Sequence, residues 1–202
     1  MVERRRRPDL VAPRHQVQRH RSAIRLAPSF SRLFVFDDGQ MRAASDRELV
    51  ASSAGGRTWS LAALSKSVTA ITRFRDTWYA ATSDGVFRSD DLARWTECSS
   101  GLAPVSPVLS LTATPEGELI AIQGNSTFTS QDQCQSWWPI AMRVSTQGAD
   151  GYYTMPQLFS DAALGTVLYG DGLRQWGAPN RTWIARAKTP FVTAFVDRKS
   201  VV

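Results

Sequence analysis

Short runs of β-branched and aromatic residues alternate with turn residues along the chain from residue 33 onward. The pattern is clearest between residues 68 and 98, where VTAITRF, TWYAATS, GVFRS and RWTEC are separated by the turn sequences RD, DG and DDLA. Alternation of this kind is typical of β-strands joined by tight turns, and no helical period of three to four residues competes with it. We therefore predict an all-β fold.

A recurring segment marks the end of each group of strands. The four copies are SSAGGRTW (52–59), GVFRSDDLARW (85–95), SQDQCQSW (130–137) and TVLYGDGLRQW (166–176), which end at Trp59, Trp95, Trp137 and Trp176. A period near 40 residues, with about four strands in each repeat, is typical of the blades of a β-propeller. The repeats therefore predict a β-propeller, or part of one, built from about four to five four-stranded antiparallel blades.

The four segments approach the consensus Ser/Thr-x-Asp-x-Gly-x-Thr-Trp when they are aligned on their tryptophans. This consensus resembles the Asp-box, or bacterial neuraminidase repeat, of sialidase-like β-propellers. Cys134 stands at the Gly position of the third copy, and Ala54 stands at the Asp position of the first. The residues that we assign to the motif are Ser52 and Trp59, Asp90 and Trp95, Ser130, Asp132 and Trp137, and Asp171 and Trp176.

The physical role of such a segment is to hold a turn. A Ser or Asp side chain accepts hydrogen bonds from backbone N–H groups, Gly supplies a positive φ, and the Trp covers the base of the next strand. We therefore predict that these residues are structural and not catalytic. The resemblance also implies that they lie on the outside of the propeller, away from a ligand.

The repeats divide the chain into an N-terminal arm at residues 1–32 and a propeller at residues 33–202. The predicted blades span about 33–66, 67–104, 105–147 and 148–188, and TPFVTAFVDRKSVV (189–202) is similar to the opening of the second repeat. An unfinished fifth blade leaves open sheet edges. The partial blade could complete a small ring by pairing with the first repeat, or another chain could cover the open edge. The sequence could also be a piece of a longer one, and we favour these last two explanations.

Charge separates the arm from the propeller. Residues 1–32 contain nine arginines against Glu3 and Asp9, although the whole chain has a net charge of only +6. The arm is therefore predicted to be disordered or extended, and residues 4–25 could contact an anionic membrane surface or an acidic partner. No aromatic residue precedes Phe30, which argues against nucleic-acid binding by base stacking.

The sequence leaves the cellular compartment unassigned. The arm has no apolar run that would serve as a signal peptide, and no segment is long and apolar enough for a membrane helix. The family resemblance, by contrast, implies an extracytoplasmic or membrane-peripheral protein. The two cysteines, Cys98 and Cys134, fit either one disulfide between adjacent blades or two unpaired buried thiols.

The absence of several motifs narrows the chemistry. Both histidines, His15 and His20, lie in the arm, which argues against a His-assisted nucleophile or a His-ligated zinc ion in the propeller. No Walker-type loop and no GxGxxG turn is present. We predict no cofactor and no metal ion, and we assign no catalytic residue.

The candidate binding residues lie in two places. The long connection MRVSTQGADGYYTM (142–155) offers Arg143, Asp150, Tyr152 and Tyr153, and the turn in ITRFRDTW offers Arg73 and Arg75. Instead of binding a ligand or partner, the connection at 142–155 could be only an irregular link between strands, and Arg73 and Arg75 could be only solvated turn charges.

Two functions fit the resemblance. Photosystem II assembly and stability factors and sortilin-type receptors are Asp-box propellers that bind proteins, which implies a non-enzymatic scaffold module. Such a module would be an extrinsic subunit or assembly factor of a larger complex, with a protein partner covering the open blade edge. The alternative is a sialidase-like glycoside hydrolase or a fragment of one. That family uses three arginines, a Tyr nucleophile with a Glu partner and an Asp acid, and here Tyr152 and Tyr153 lie near Asp150 without a nearby Glu.

Overall fold

A computed structural model describes the propeller region of the chain. The described residues are 30–36, 38–53, 55–104, 106–144, 156–161, 165–169, 173–177 and 182–187. They form sixteen β-strands and no helix, so the predicted all-β fold is confirmed for this part of the chain. The predicted arm up to residue 29 and the predicted partial blade at 189–202 lie outside the described residues.

The strands form four sheets, each a meander in which every strand pairs antiparallel with the next one along the chain. The first sheet contains β1 (Arg32–Val35), β2 (Met41–Ala44), β3 (Leu49–Ser52) and β4 (Ser60–Leu61). The second contains β5 (Val68–Phe74), β6 (Thr77–Thr82), β7 (Gly85–Ser89) and β8 (Thr96–Glu97). The third contains β9 (Val108–Ala113), β10 (Leu119–Gln123), β11 (Ser126–Ser130) and β12 (Trp138–Arg143). The fourth contains β13 (Gln157–Asp161), β14 (Gly165–Tyr169), β15 (Leu173–Gly177) and β16 (Thr182–Ala187).

Tight turns make this meander possible. In the turn between β5 and β6 a positive φ falls on Arg75, and between β10 and β11 it falls on Gly124. Two-residue connections of this kind reverse the chain with the twist that paired strands need. Alternate residues of each strand then point to opposite faces of the sheet.

Three apolar clusters lie between consecutive sheets and hold them together. Leu49 of the first sheet packs with Ile71 and Trp78 of the second. The second and third sheets meet in a cluster that includes Val86 and Leu119, and the third and fourth sheets meet in one that includes Ile122, Leu158 and Leu168. Each sheet therefore buries its apolar residues against its neighbours rather than by itself.

Side-chain hydrogen bonds join the first strands of consecutive sheets. Thr69 Oγ1 in β5 donates to the carbonyl of Val108 in β9 (2.5 Å), and the N–H of Ala113 donates to Thr72 Oγ1 (3.2 Å). The N–H of Leu158 in β13 donates to Ser110 Oγ in β9 (2.9 Å). The two contacts between β5 and β9 run in the same order along both strands, so these strands lie side by side and roughly parallel, and the Leu158 contact places β13 next to β9.

A disulfide also connects the second and third sheets. Cys98 follows β8 and Cys134 lies in the turn between β11 and β12, with their Cα atoms 5.4 Å apart. Of the two alternatives that the sequence left open, the structure therefore shows the disulfide. The indole Nε1 of Trp137 donates to the carbonyl of Cys98 (2.8 Å), and its backbone N–H donates to the carbonyl of Ser100 (2.8 Å).

None of the described residues belongs to a helix that could span a membrane.

A prediction concerns Gly101, which lies under the disulfide-linked turn at φ +95°. A methyl group at this position would collide with the backbone carbonyl of Trp137, whereas one at Gly124, at φ +55°, would meet nothing within 4 Å. We expect Gly124→Ala to lower the free energy of unfolding by about 1 kcal/mol, because only the positive φ is disfavoured, and Gly101→Ala to lower it by about 3 kcal/mol. Urea denaturation of both variants measures the difference; equal losses would contradict the close approach.

Candidate functional site

Three turns that end on a tryptophan connect the third and fourth strands of the first three sheets; we call them the tryptophan turns. In the first, the N–H of Gly56 donates to Ser52 Oγ (3.0 Å). In the third, the N–H of Cys134 donates to Ser130 Oγ (2.9 Å), and the carboxylate of Asp132 accepts from the N–H (2.9 Å) and the hydroxyl of Ser136. Side chains at the start of each turn therefore satisfy backbone groups inside it.

The second tryptophan turn is one residue shorter, which corrects the predicted role of Asp90. Here Asp91 Oδ1 accepts from the N–H groups of Ala93 (2.9 Å) and Arg94 (2.8 Å). The N–H of Leu92, at φ 61°, donates to Ser89 Oγ (2.8 Å). Asp90 instead accepts a hydrogen bond from Thr77 Oγ1 (2.8 Å) at the surface. The third turn has two left-handed residues after its accepting aspartate, Gln133 and Cys134, whereas the second has only Leu92, so its accepting carboxylate lies one position closer to the tryptophan.

The fourth predicted segment is not a turn between third and fourth strands. Trp176 lies inside β15, the third strand of its sheet, and pairs with Trp183 of β16. TVLY (166–169), which the repeat pattern aligns with a third strand, lies in the second strand β14, and Asp171 lies outside the described residues. The burial of the Trp176 indole favours its position in a paired strand.

Two of the tryptophan turns contact the sheet that precedes them. Trp95 Nε1 donates to the carbonyl of Ala62 (2.6 Å), which follows the last strand of the first sheet. Trp137 Nε1 donates to the carbonyl of Cys98, which follows the last strand of the second sheet. Trp59 Nε1 donates to Gly56 inside its own turn (2.9 Å). Trp176 Nε1 also reaches the preceding sheet and donates to Glu118 Oε2 (3.3 Å). The indoles of Trp95, Trp137 and Trp176 therefore connect neighbouring sheets, whereas that of Trp59 stabilises its own turn.

The first strands of all four sheets line one open groove of about 980 Å³, which we call the inner groove. Its walls are residues 31–36 with β1, 69–74 with β5, 109–115 with β9, and 156–160 with β13. It is therefore the one surface described here to which all four sheets contribute.

The chemistry of the inner groove is apolar and hydrogen-bonding. The side chains of Leu33 and Val35 on β1 are 61% and 62% exposed, which is unusual for aliphatic residues of a sheet. Hydroxyl groups come from serines and threonines on every wall, and Arg32 and Arg73 bring positive charge. Among the described residues that line the groove there is no Asp or Glu.

A cluster of aromatic rings and guanidinium groups forms the junction of the first two sheets at one end of the groove. Trp78 packs edge-on against Phe36 (4.9 Å between centroids), and the guanidinium of Arg42 lies 4.0 Å from the Trp78 centroid. Arg42 is only 1% exposed, and its burial lowers its pKa, as does the nearby Arg73, whereas Asp38 acts in the opposite direction. Arg73 Nη1 reaches Asp38 at 2.9 Å. Asp38 thus helps to balance two neighbouring cations.

The structure describes three of the six predicted binding residues and places them at opposite ends of the sheets. Arg73 and Arg75 lie at the end of β5 where the chain turns into β6, and the exposed Arg75 lies over the Phe74 ring (5.0 Å). Arg143 is exposed at the last position of β12, where the chain returns to the opposite end of the sheets. Asp150, Tyr152 and Tyr153 lie outside the described residues. Of the three that the structure describes, only Arg73 lines the inner groove.

Sequence reasoning missed Leu33, Val35 and the buried Arg42. The first strand of each repeat was recognisable, and in a propeller that strand faces the centre, so Leu33 and Val35 could have been proposed from their position. Nothing in the sequence around Arg42 indicates burial, because the indole of Trp78 that packs against its guanidinium comes from the next repeat.

In the described part of the chain, no three His, Cys, Asp or Glu side chains are grouped so that they could hold a metal ion.

A prediction separates the two adjacent aspartates of the second tryptophan turn. We expect Asp91→Ala to lower the unfolding temperature by a few degrees, because two backbone N–H groups lose their acceptor. Asp90→Ala removes only an exposed contact with Thr77 and should leave the unfolding temperature nearly unchanged. Thermal unfolding of the two variants, followed by circular dichroism, tests the assignment, and the reverse order of effects would restore Asp90 to the turn.

A second prediction concerns pH. Partial burial raises the pKa of Asp132, but hydrogen bonds from Ser136 and Ser130 outweigh it, so the pKa lies below its ordinary value. A carboxyl group with a lowered folded pKa stabilises the fold above the unfolded pKa of about 4 and loses this contribution as the pH falls through the folded value. We expect the stability difference between the protein and Asp132→Asn to shrink as the pH is lowered from 6 to 3. A difference that stays constant in urea titrations over this range would contradict the assignment.

Comparison with known proteins shows the fold and not the family. No family model and no curated protein matches the chain. Similar solved structures include YCF48 from Cyanidioschyzon merolae (15% identity, TM-score 0.54), which covers 78% of this chain, while the chain covers 55% of it. An ancestral GH74 enzyme (14% identity, TM-score 0.55) covers 72% of this chain, and this chain covers 22% of the enzyme.

PorZ, an essential bacterial surface component of the type-IX secretion system of Porphyromonas gingivalis, is also similar. Its identity is 14% and its TM-score 0.54; it covers 81% of this chain, which spans 20% of its length. This chain therefore spans about half of YCF48 and about a fifth of the other two proteins. These neighbours are β-propellers, and the predicted propeller fold is confirmed.

Proposed function

We propose that this chain is a non-enzymatic propeller that binds a protein partner through the inner groove and serves as a scaffold in a larger complex. The observation that carries the proposal is the exposure of Leu33 and Val35 on a wall of the groove. Exposed aliphatic side chains gathered at a concave surface favour contact with another polypeptide.

The backbone of β1 supports the same conclusion. Among the described strands, β1 pairs only with β2, so its other edge would offer N–H and C=O groups to a further strand. An extended segment of a partner could pair there and place alternate side chains against Leu33 and Val35. Arg32 and Arg73 favour a segment that carries acidic groups.

The sequence resemblance adds finer parts to the proposal. We propose that the tryptophan turns are degenerate Asp-boxes, and that the chain is an extrinsic subunit or assembly factor of a complex, as in the photosystem II assembly factors that it resembles. The basic segment 4–25 would add contacts with an anionic membrane surface or an acidic partner. It lies outside the described residues and stays a prediction.

The enzymatic alternative, a sialidase-like glycoside hydrolase, depends on Asp150, Tyr152 and Tyr153, which lie outside the described residues. Hydrolysis of a fluorogenic sialoside by the purified protein, lost on changing Tyr152 or Asp150, would support it against the scaffold.

The scaffold proposal predicts that the groove and not surface hydrophobicity selects the partner. Leu33 and Leu61 are 61% and 62% exposed, but Leu61 lies on β4 and does not line the groove. We expect tagged purification from the native organism to recover a stoichiometric partner with the unaltered protein and with Leu61→Ser. The double variant Leu33→Ser and Val35→Ser should lose the partner at least tenfold, measured by quantitative mass spectrometry.

Thermal unfolding provides the control, because all three exposed side chains should be dispensable for folding. A partner that is retained by the double variant, or lost equally with Leu61→Ser, would exclude the inner groove as the binding surface. Elution of the unaltered protein alone would contradict the scaffold function itself.

A further inference from the structure

A second cavity lies beside the disulfide, away from the inner groove. It has a volume of about 530 Å³ and is lined by residues 96–100 together with Arg88 of β7 and Gln135 of the third tryptophan turn. Cys98 is among the lining residues and Cys134 is not. The cavity therefore reaches the disulfide from one side only.

The two cysteines differ in burial. Cys134 is 0% exposed and belongs to the apolar cluster between the second and third sheets, whereas Cys98 packs against that cluster and is half-buried. Thiol–disulfide exchange requires a thiolate to approach one sulfur in line with the S–S bond, so access decides which sulfur reacts. Of the two cysteines, Cys98 therefore offers the more accessible side of the disulfide.

We propose that this disulfide is a thiol–disulfide exchange site that accepts a small thiol such as glutathione at Cys98. The thiolate attacks Cys98 Sγ and forms a new S–S bond, the bond between Cys98 and Cys134 breaks, and its electron pair passes to Cys134 Sγ. Cys134 then takes a proton from water, because an apolar environment disfavours its thiolate. The products are a mixed disulfide on Cys98 and a buried thiol at Cys134.

The charges around the cavity tune the reaction in opposite directions. Arg88 attracts the negatively charged glutathione thiolate and Glu97 repels it, and both residues line the cavity. Glu97→Gln removes the repulsion with almost no change of shape, and Arg88→Gln removes the attraction while keeping a polar side chain.

Exchange would release the disulfide cross-link between the second and third sheets without removing their non-covalent contacts. Trp137 still donates to Cys98 and Ser100, and Gln123 still holds the connecting segment through the carbonyls of Ala103 (2.9 Å) and Ser106 (2.8 Å). Exposure to thiols would therefore loosen one junction between sheets and would not unfold the chain.

The test uses glutathione on the native protein. After incubation with excess reduced glutathione at pH 8 and acid quenching, peptide mass spectrometry should find the adduct on Cys98 at least tenfold more often than on Cys134. The same reaction in 8 M urea, where both sulfurs are accessible, should give adducts on both residues and serves as the control. An adduct mainly on Cys134, or no adduct on the native protein while the unfolded protein reacts, would overturn the proposal.

The rate of adduct formation tests the charges. We expect Arg88→Gln to slow the reaction about two- to threefold and Glu97→Gln to accelerate it by a similar factor at low ionic strength, with both effects reduced in 0.5 M salt. Arg94→Gln is the matched control, because Arg94 is exposed on the same sheet and does not line the cavity. Equal rates for all three variants would show that the cavity does not guide the thiol.

Discussion

The structure depends on the burial of one sheet's apolar face by the next sheet. A four-stranded meander by itself leaves both of its faces uncovered, and here Leu49, Val86 and Ile122 are buried at junctions between sheets. The hydrogen bonds of Trp95 and Trp137 to the preceding sheet satisfy indole groups at the same junctions. Because each junction needs both of its sheets, the stability of the chain is shared between neighbours and not contained in single repeats.

This dependence explains why binding surfaces arise where the sheets meet. The inner groove exists only because four first strands lie side by side, and no single repeat contains a recognisable site. The cluster of Arg42, Trp78 and Arg73 is likewise shared by two repeats. A cation buried next to an aromatic face is stabilised only after the second sheet has docked, so folding and the formation of this surface are the same event.

The sequence predicted the parts of the structure that depend on local pattern. The ends of the strands in the second repeat were predicted within one or two residues. VTAITRF, TWYAATS and GVFRS are each bounded by turn residues, which mark where a strand begins and ends. The accepting aspartate of the second tryptophan turn was assigned one residue too early, to Asp90 instead of Asp91, because alignment on Trp95 assumes that all turns have the same length. Trp176 was assigned to a turn although it lies in a strand, because spacing alone does not distinguish a tryptophan that follows a strand from one inside it. The disulfide and the buried Arg42 depend on contacts between repeats, which a pattern along the chain does not report.

The disulfide also changes how the chain transmits force. Cys98 and Cys134 enclose β9, β10 and β11, so a pull on the two ends of the protein passes from one sulfur to the other and bypasses these strands. The bypassed segment of 36 residues corresponds to about 120 Å of extended chain. While the bond is intact, these three strands carry no tension along the backbone, and the part of the groove wall that β9 supplies keeps its internal pairing even when its neighbours are drawn apart.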